Sequence, residues 1–436
     1  MHPSARRLAL SLVLGIVAAL PARGETLLEL YQSARAFDAT YLAARAQAES
    51  EVYRAEQAEA LLRPSASLSG SAGRVETNPL IGPSFGSNAL AIGLAGRYPL
   101  YNQTSHASVA QARKALQASR SVLELAEQDL IVRVTQAYFD VLAAQDTLAT
   151  TRASKVAISE QLASAKRNFE VGTATITDTR EAQARFDLGT FQELAAENDL
   201  LNKRIALDQL VGRPNTAPAQ LAIPVVLPPA PSDVQDWASR AESQHPLIWR
   251  ARIALDVARL EVEKARAGKL PVVDAVAGLN GGRGTTGSAT GSNTSASLGV
   301  QLSLPLYTGG AVENRIAETL VLEDKARSDL DTALRSVSQA TRTAFNALQS
   351  GLGQVRALEA AESSSQLALE ATQLGYRVGV RVNLDVLNAQ TQLFTTRRDL
   401  ARARYDVLVN TLRLRQAAGE LRAEDVAAIN ALLVRR

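Results

Sequence analysis

Side chains able to do chemistry are few in this 436-residue chain, and they stand far apart. There is no Cys, which excludes disulfides and thiolate metal sites. The three His, His2, His106 and His245, are too scattered for a metal site, and no nucleophile elbow or zinc motif occurs. Residues 278–293, GLNGGRGTTGSATGSN, invite a phosphate-loop reading but lack the Gly-Lys-Ser/Thr ending and lie between two strand-like segments. An exposed hairpin loop is expected there. Charged pairs at helical spacing recur along the chain, and Arg381 with Asp385 is one of them, four residues apart and so on one face of a helix. Alone, such a pair is a solvated contact worth a few tenths of a kcal/mol. It gains meaning if the fold gathers several copies at one axis, where the carboxylates repel one another and call for cations or Arg partners. Neither enzyme chemistry nor a cofactor is expected.

The elements that would position this pair begin after residue 24. Residues 1–24 carry Arg6, Arg7 and Arg23, an apolar run from Leu8 to Leu20 and a small-residue end at Ala22 and Gly24, the pattern of a secretory signal peptide. Without those three of the 47 basic residues, the remainder balances 44 acidic ones. A neutral chain without a basic tract gives no reason to expect nucleic acid as a partner. No later stretch approaches 18 consecutive apolar residues, which excludes a helical inner-membrane protein and leaves a β-barrel open.

The rest is written twice, with a shift of 207 residues. Pro64 falls on Pro271, Val171-Gly172 on Val378-Gly379, Asp178 on Asp385 and Gly212 on Gly419. The expected repeats are 25–220 and 234–436, joined by a Pro-rich extended linker, 221–233. Each reads as a medium helix, two strands, a very long helix, a turn with one Gly, and another helix. From Asn102 to Val171 there is neither Gly nor Pro, and such a helix would span on the order of 100 Å. Val109, Leu116, Leu123 and Leu130 recur every seven residues and, after a shift of four, Val134, Val141 and Leu148 resume the pattern: a coiled-coil seam with a stutter. In the second copy Gly351 and Gly353 predict local bending.

Strands are expected at about 65–75, 88–100, 272–281 and 295–306. In the last, Ala296, Leu298, Val300, Leu302, Leu304 and Leu306 alternate with Ser, Gly and Gln. In the second, Leu90, Ile92, Leu94, Tyr98 and Leu100 alternate with Ala91, Gly93, Ala95 and Arg97. Twelve residues tilted by ~45° cover about 28 Å, the height of an outer-membrane apolar band. Four strands cannot close a barrel, and an open edge in lipid leaves backbone groups unpaired. The sheet must therefore close with other copies of the chain. Two copies would give eight strands and a filled interior, three would give twelve and a wider bore, and periodicity alone does not choose. Small inward Ser, Gly and Ala favour a pore. Tyr98, Tyr101 and Tyr307 flank strand ends, at an interfacial or a packed junction position.

On these features, and on the stretches TLLELYQSARAFD, TQAYFDVLAA, FEVGTATITDTREAQARFD, LSLPLYTGG and YRVGVRVNLDVLNAQTQLFTTRRDLARARYDVLVNTLRL, the chain resembles the TolC family of outer-membrane efflux and type I secretion channels, from Glu25 to about Leu433. The resemblance implies a mainly α protein with membrane β-structure. Three chains would form a twelve-stranded barrel in the outer membrane, continued by a twelve-helix α-barrel across the periplasm. It implies an exit duct whose partners are a homotrimer of itself, a periplasmic membrane-fusion adaptor, an inner-membrane ABC, RND or MFS transporter, and outer-membrane lipid.

Carried over by position, the family's periplasmic gate falls on Thr177, Asp178, Tyr376, Arg381 and Asp385. Asn388 stands where close family members place a second Asp, so the ring would carry three charges fewer per trimer. Weaker block by polyvalent cations, readable in single-channel recordings, is expected. Val171, Gly172 and Thr173, with Val378, Gly379 and Val380, resemble the tips that meet an adaptor; Gly suits a turn needing positive φ. The rival reading is a periplasmic coiled-coil adaptor or scaffold without a pore. It is disfavoured because two helical hairpins here alternate with membrane-length strands. A diffusion porin would lack the long helices. Cargo, whether drug or protein, is not written in the chain.

Overall fold

The computed structural model describes residues 24–222, 224–286 and 289–433; the signal-peptide reading of residues 1–23 lies outside them. The chain runs α1 (Leu27–Phe37), α2 (Ala39–Glu59), β1 (Ser65–Thr77), β2 (Phe85–Tyr101), α3 (Gln103–Glu170) and α4 (Ile176–Val211). It then repeats the order as α5 (Val234–Gln244), α6 (Pro246–Ala267), β3 (Val272–Thr286), β4 (Ala289–Ser303), α7 (Ala311–Arg377) and α8 (Asn383–Ala417), and adds α9 (Ala423–Asn430). The single medium helix expected before each strand pair is two helices. Asp38 and His245, 207 residues apart, break it: each ends one helix and caps the next, Asp38 accepting from the Tyr41 amide and His245 Nδ1 from the Leu247 amide. Pro246 fits the first turn of α6, where no amide donor is needed.

The two long helices, of 68 and 67 residues, are each about 100 Å long. Asn102 opens α3 by accepting from the Ser105 amide, and Gly172, at φ 80°, closes it. Val109, Leu130, Val134, Val141 and Leu148 are buried on both sides of the stutter. Neither Gly351 nor Gly353 interrupts α7. Gly351 serves contact instead: a Cβ there would lie 3.2 Å from Val407 Cγ2, so its absence lets α8 approach. Helix α4 packs along the distal half of α3, and α8 along that of α7, with α3 and α8 in contact between the hairpins. Near the strands the order is α2, α3, α6, α7.

The largest core lies midway, where α1, α9 and the chain after α4 wrap α3, α4 and α8 around Leu27, Leu130, Tyr138, Phe139, Leu207 and Leu408. Tyr138 donates to the Ala219 carbonyl at 2.7 Å and stands edge-on to Phe139, which stacks on Tyr405. Glu25 bridges Pro218, and Leu221 bridges Leu433. The segment read as an extended linker thus starts as a core element, with Leu221 buried and Val225 and Leu227 packed against the same cluster.

The four strands form one antiparallel sheet in the order β1-β2-β3-β4, so β2 pairs with β3 across the repeats. Most of the segment expected as a glycine-rich loop is strand: Gly278 pairs with Ser297 and Gly284 with Gly291. Its glycines carry little strand propensity, but neighbours on both sides supply backbone partners. At the other end β4 stops at Ser303, leaving Leu304 and Leu306 outside the ladder before Gly309 and Gly310 turn the chain at positive φ.

Candidate pore wall, gate and docking tips

Directly opposed residues share a face, so the register defines two walls. On one, Leu68, Leu94, Leu279 and Ala296 form a row, flanked by Ala66, Gly96, Ala277 and Leu298 and by Gly70, Ile92, Gly281 and Thr294. Tyr98, Ala275 and Val300 continue it toward the helices. A bulge sets the last row: Pro99 opposes Asp274 and Tyr101 opposes Val273, leaving Leu100 unpaired. Tyr101, not Leu100, thereby joins the apolar face. From Tyr101 to Leu90 the face covers about 25 Å at the usual tilt, the height of an outer-membrane apolar band. Tyr98 and Tyr101 lie at its helix-side margin, the place of an aromatic girdle; Tyr307 lies beyond the strand and is exposed.

The opposite wall is built of small residues. Ser67, Ala95, Gly278 and Ser297 form one row and Ser69, Gly93, Asn280 and Ser295 the next. Its only charges, among the described strand residues, are Arg97 and Asp274, paired at 2.6 Å near the helices. Asp274 is buried, and its Oδ1 has no partner. Both edge strands, β1 and β4, have a free side.

At the far end of the helices, two turns of the same design reverse the chain. Gly172 and Gly379 adopt φ 80° and 78°. The Thr173 amide donates to the Asn168 carbonyl at 2.8 Å, and the Val380 amide to the Gly375 carbonyl at 2.9 Å. Val171, Val378 and Val380 are 73%, 65% and 78% exposed, apolar side chains held out at the tips beside exposed Thr173.

The sequence-predicted gate residues are all within the first turns beyond or before these tips, but they form separate contacts rather than one cluster. Arg381 reaches Asp385 at 3.5 Å, both largely solvated. Gly375 makes the space: a Cβ there would meet Arg381 Cγ at 2.8 Å. The Tyr376 hydroxyl instead accepts from Asn168 Nδ2 at 3.2 Å, tying α7 to α3, and its ring packs beside Leu369, Val386 and Leu393. Asp178 belongs to a capping box, its Oδ2 accepting from the Thr175 amide and hydroxyl while Thr175 Oγ1 accepts from the Asp178 amide. Thr177 is exposed. Asn388 Oδ1 accepts from Arg185 at 3.0 Å and so ties α8 to α4.

One residue here escaped the sequence reading. Asn383, the first of α8, is 2% exposed and bridges three elements: Gln161 of α3 donates to its Oδ1, and its Nδ2 donates to the Asp178 carbonyl at 3.4 Å. The signal was available in the repeat, since its counterpart 207 residues earlier is Ile176.

A membrane-length sheet, apolar on one face and small and polar on the other, carried on helical hairpins about 100 Å long, defines the class as an outer-membrane channel with a long helical extension. The chain belongs to the Outer membrane efflux protein family, whose pattern it matches twice, over residues 30–213 and 237–420. It is similar to outer membrane protein TolC of Vibrio cholerae, 34% identical over 416 residues covering 93% of each chain. It is also similar to the alkaline protease secretion protein AprF of Pseudomonas aeruginosa, 36% identical over 314 residues, 70% of this chain and 65% of the relative. Among solved structures, the outer membrane protein VceC of Vibrio cholerae superposes with a TM-score of 0.77 at 19% identity, over 90% of this chain and 96% of the other. The protein is thus a transport channel of the outer membrane, with its helices extending into the periplasm.

Proposed function

We propose that three copies close their sheets into a twelve-stranded barrel and their helices into a twelve-helix tunnel, serving as the exit duct of a tripartite efflux or type I secretion system. The observation that carries this reading is the sheet itself: two unpaired edges on strands long enough to cross a bilayer, where each unpaired backbone group costs several kcal/mol. The helices agree. Helix α4 bears an exposed apolar stripe of Leu188, Phe191, Leu194, Leu201 and Ile205, which a neighbouring chain would cover. An adaptor without a pore would have no use for a four-stranded sheet with a 25 Å apolar face.

The gate is assigned to the second hairpin. Tyr376 tethers α7 to α3 through Asn168, Asn388 tethers α8 to α4 through Arg185, and the exposed Arg381 head and the half-buried Asp385 carboxylate are placed to reach a neighbouring chain. Opening is a shift of α7 and α8 that releases these contacts when an adaptor and an inner-membrane ABC, RND or MFS pump engage the complex. Asn388 leaves an uncharged amide where a second acid would tighten the cation-attracting ring. Adaptor docking is assigned to the tips, because Val171, Val378 and Val380 are apolar and exposed on turns closed by backbone hydrogen bonds. A photocrosslinker at Thr173 or Val380 is expected to capture the adaptor in cells; capture from neither tip sinks the docking assignment.

The gate is tested by Tyr376→Phe together with Arg381→Ser in the purified trimer. Single-channel conductance in planar bilayers should rise severalfold, with the open-sheet end unchanged. An unaltered conductance would place the gate elsewhere.

A further inference from the structure

At Leu90 the apolar wall of the sheet changes character. Toward the β1–β2 and β3–β4 turns, the next row sets Leu90 beside Arg283 and Ser292, and the one after it aligns Arg74, Asn88, Thr285 and Thr290. The described strands hold five charged residues. Arg97 and Asp274 pair with each other on the opposite wall, which leaves Arg74 and Arg283 with one carboxylate, Glu76, a row further out. Both arginines are exposed, and among the described residues neither has a carboxylate within ion-pair reach. They border one shallow groove together with Asn88 and Thr285. Arg74 leans toward the turns: a Cβ on Gly86, one row outward on β2, would stand 3.6 Å from its Nη2 and 3.9 Å from its Nε. The guanidinium thus lies over Gly86 of β2, on the side away from the apolar band.

Facing lipid, a guanidinium costs about 2–4 kcal/mol at mid-bilayer and close to nothing at the headgroups. One arginine in the band's last row, Arg283, and another a row further out, Arg74, therefore mark where the headgroup layer begins. Because the helices leave the sheet at its other end, this layer belongs to the outer leaflet. Planar guanidinium forks match phosphate oxygens in geometry as well as charge, and the Asn88 amide and Thr285 hydroxyl add neutral donors beside them. We infer that Arg74 and Arg283, with Asn88 and Thr285, form a binding patch for the phosphates of the outer leaflet's glycolipid, lipopolysaccharide, three patches per trimer. The inference rests on the barrel reading above and gives the wall a specific lipid contact.

The test uses the full-length trimer, delipidated in neutral detergent and incubated with rough lipopolysaccharide, its phosphatase-treated form, or phosphatidylglycerol, with bound lipid read by native mass spectrometry. The wild type should retain the phosphorylated glycolipid and not the dephosphorylated form. Arg74→Gln with Arg283→Gln should bind it on the order of tenfold more weakly, the loss of two charge-assisted contacts, while Arg74→Lys with Arg283→Lys keeps most of the binding. Equal retention by the Gln variant would overturn the patch, and so would phosphatidylglycerol bound as tightly as the glycolipid. The same samples are opened as channels in planar bilayers. A wild type that forms none refutes the barrel, whereas a channel-forming Gln variant with undiminished lipid refutes only the patch.

Discussion

The two hairpin tips are copies of one design put to different use. In the first, Thr175 caps α4 and Asp178 completes the box, so the carboxylate is spent on its own helix. In the second, the position of Thr175 is taken by Val382, which offers no side-chain cap, and Asp385 turns instead to Arg381 at 3.5 Å. Ile176 of the first copy is likewise replaced by Asn383, which draws the start of α8 onto α3 and α4. One repeat keeps its acid for local order, while the other frees it and holds its helix by a contact that crosses between hairpins. A duplicated fold can thus give its two turns different partners by changing two residues.

The comparison breaks most sharply at Asn383. Replacing it with Ala leaves Gln161 and the Asp178 carbonyl without their partner in a buried place, a loss of about 2 kcal/mol in the local opening free energy. Amides in the first turns of α8 should exchange hydrogen roughly 30-fold faster, with α4 affected less. Unchanged exchange would mean that Asn383 is a passenger. Next in size is the pair of acids. Asp178→Ala removes a capping box and should destabilise α4 by about 1 kcal/mol without changing conductance. Asp385→Ala should cost only a few tenths of a kcal/mol yet raise conductance. If both act alike in denaturation and in bilayers, the division of labour between the tips is wrong.

Much of this was legible in the sequence because it depends on backbone physics. A long run without Gly or Pro has few alternatives to helix, and Gly172 and Gly379 stand where the chain must take positive φ. Strict alternation in Leu298, Val300 and Leu302 fixed one face of β4. What was not legible depends on tertiary partners. Gly282 and Gly284 read as loop because strand propensity is local, whereas they are paired by β2 and β4. The bulge at Leu100 swaps the face of Tyr101 through a ladder that no single strand announces. Leu221 joined the core because Leu433, more than two hundred residues away, comes back to meet it. Near the tips, the pairing of Arg381 with Asp385 followed from their helical spacing, but the hydrogen bond from Asn168 to Tyr376 and the approach of Arg381 to Gly375 depend on the packing of α3 and the turn.

The smallest expected effect sharpens the same comparison at the other end of the repeats, where Asp38 and His245 cap α2 and α6. Hydrogen bonds from Arg133 at 2.9 Å hold the Asp38 carboxyl below its usual range, so its contribution is present above the unfolded carboxylate pKa and is lost only as pH falls through the lower folded value. Burial pushes the His245 imidazole down, against the opposing effect of the Gln416 backbone. Its neutral form is the one that accepts from Leu247, and a proton on Nδ1 would remove the cap. For a histidine lowered on folding, protonation favours the unfolded chain. No penalty exists above the unfolded value near 6.5, and it grows as pH falls from there toward the folded value. Between pH 7 and 5 the two caps should therefore part company, with α6 weakening while α2 does not. His245→Asn keeps an uncharged capping oxygen, and the apparent Tm difference between wild type and variant should shift in the variant's favour as pH drops across that window. A difference constant from pH 7 to 5 would show that the proton does not reach the cap.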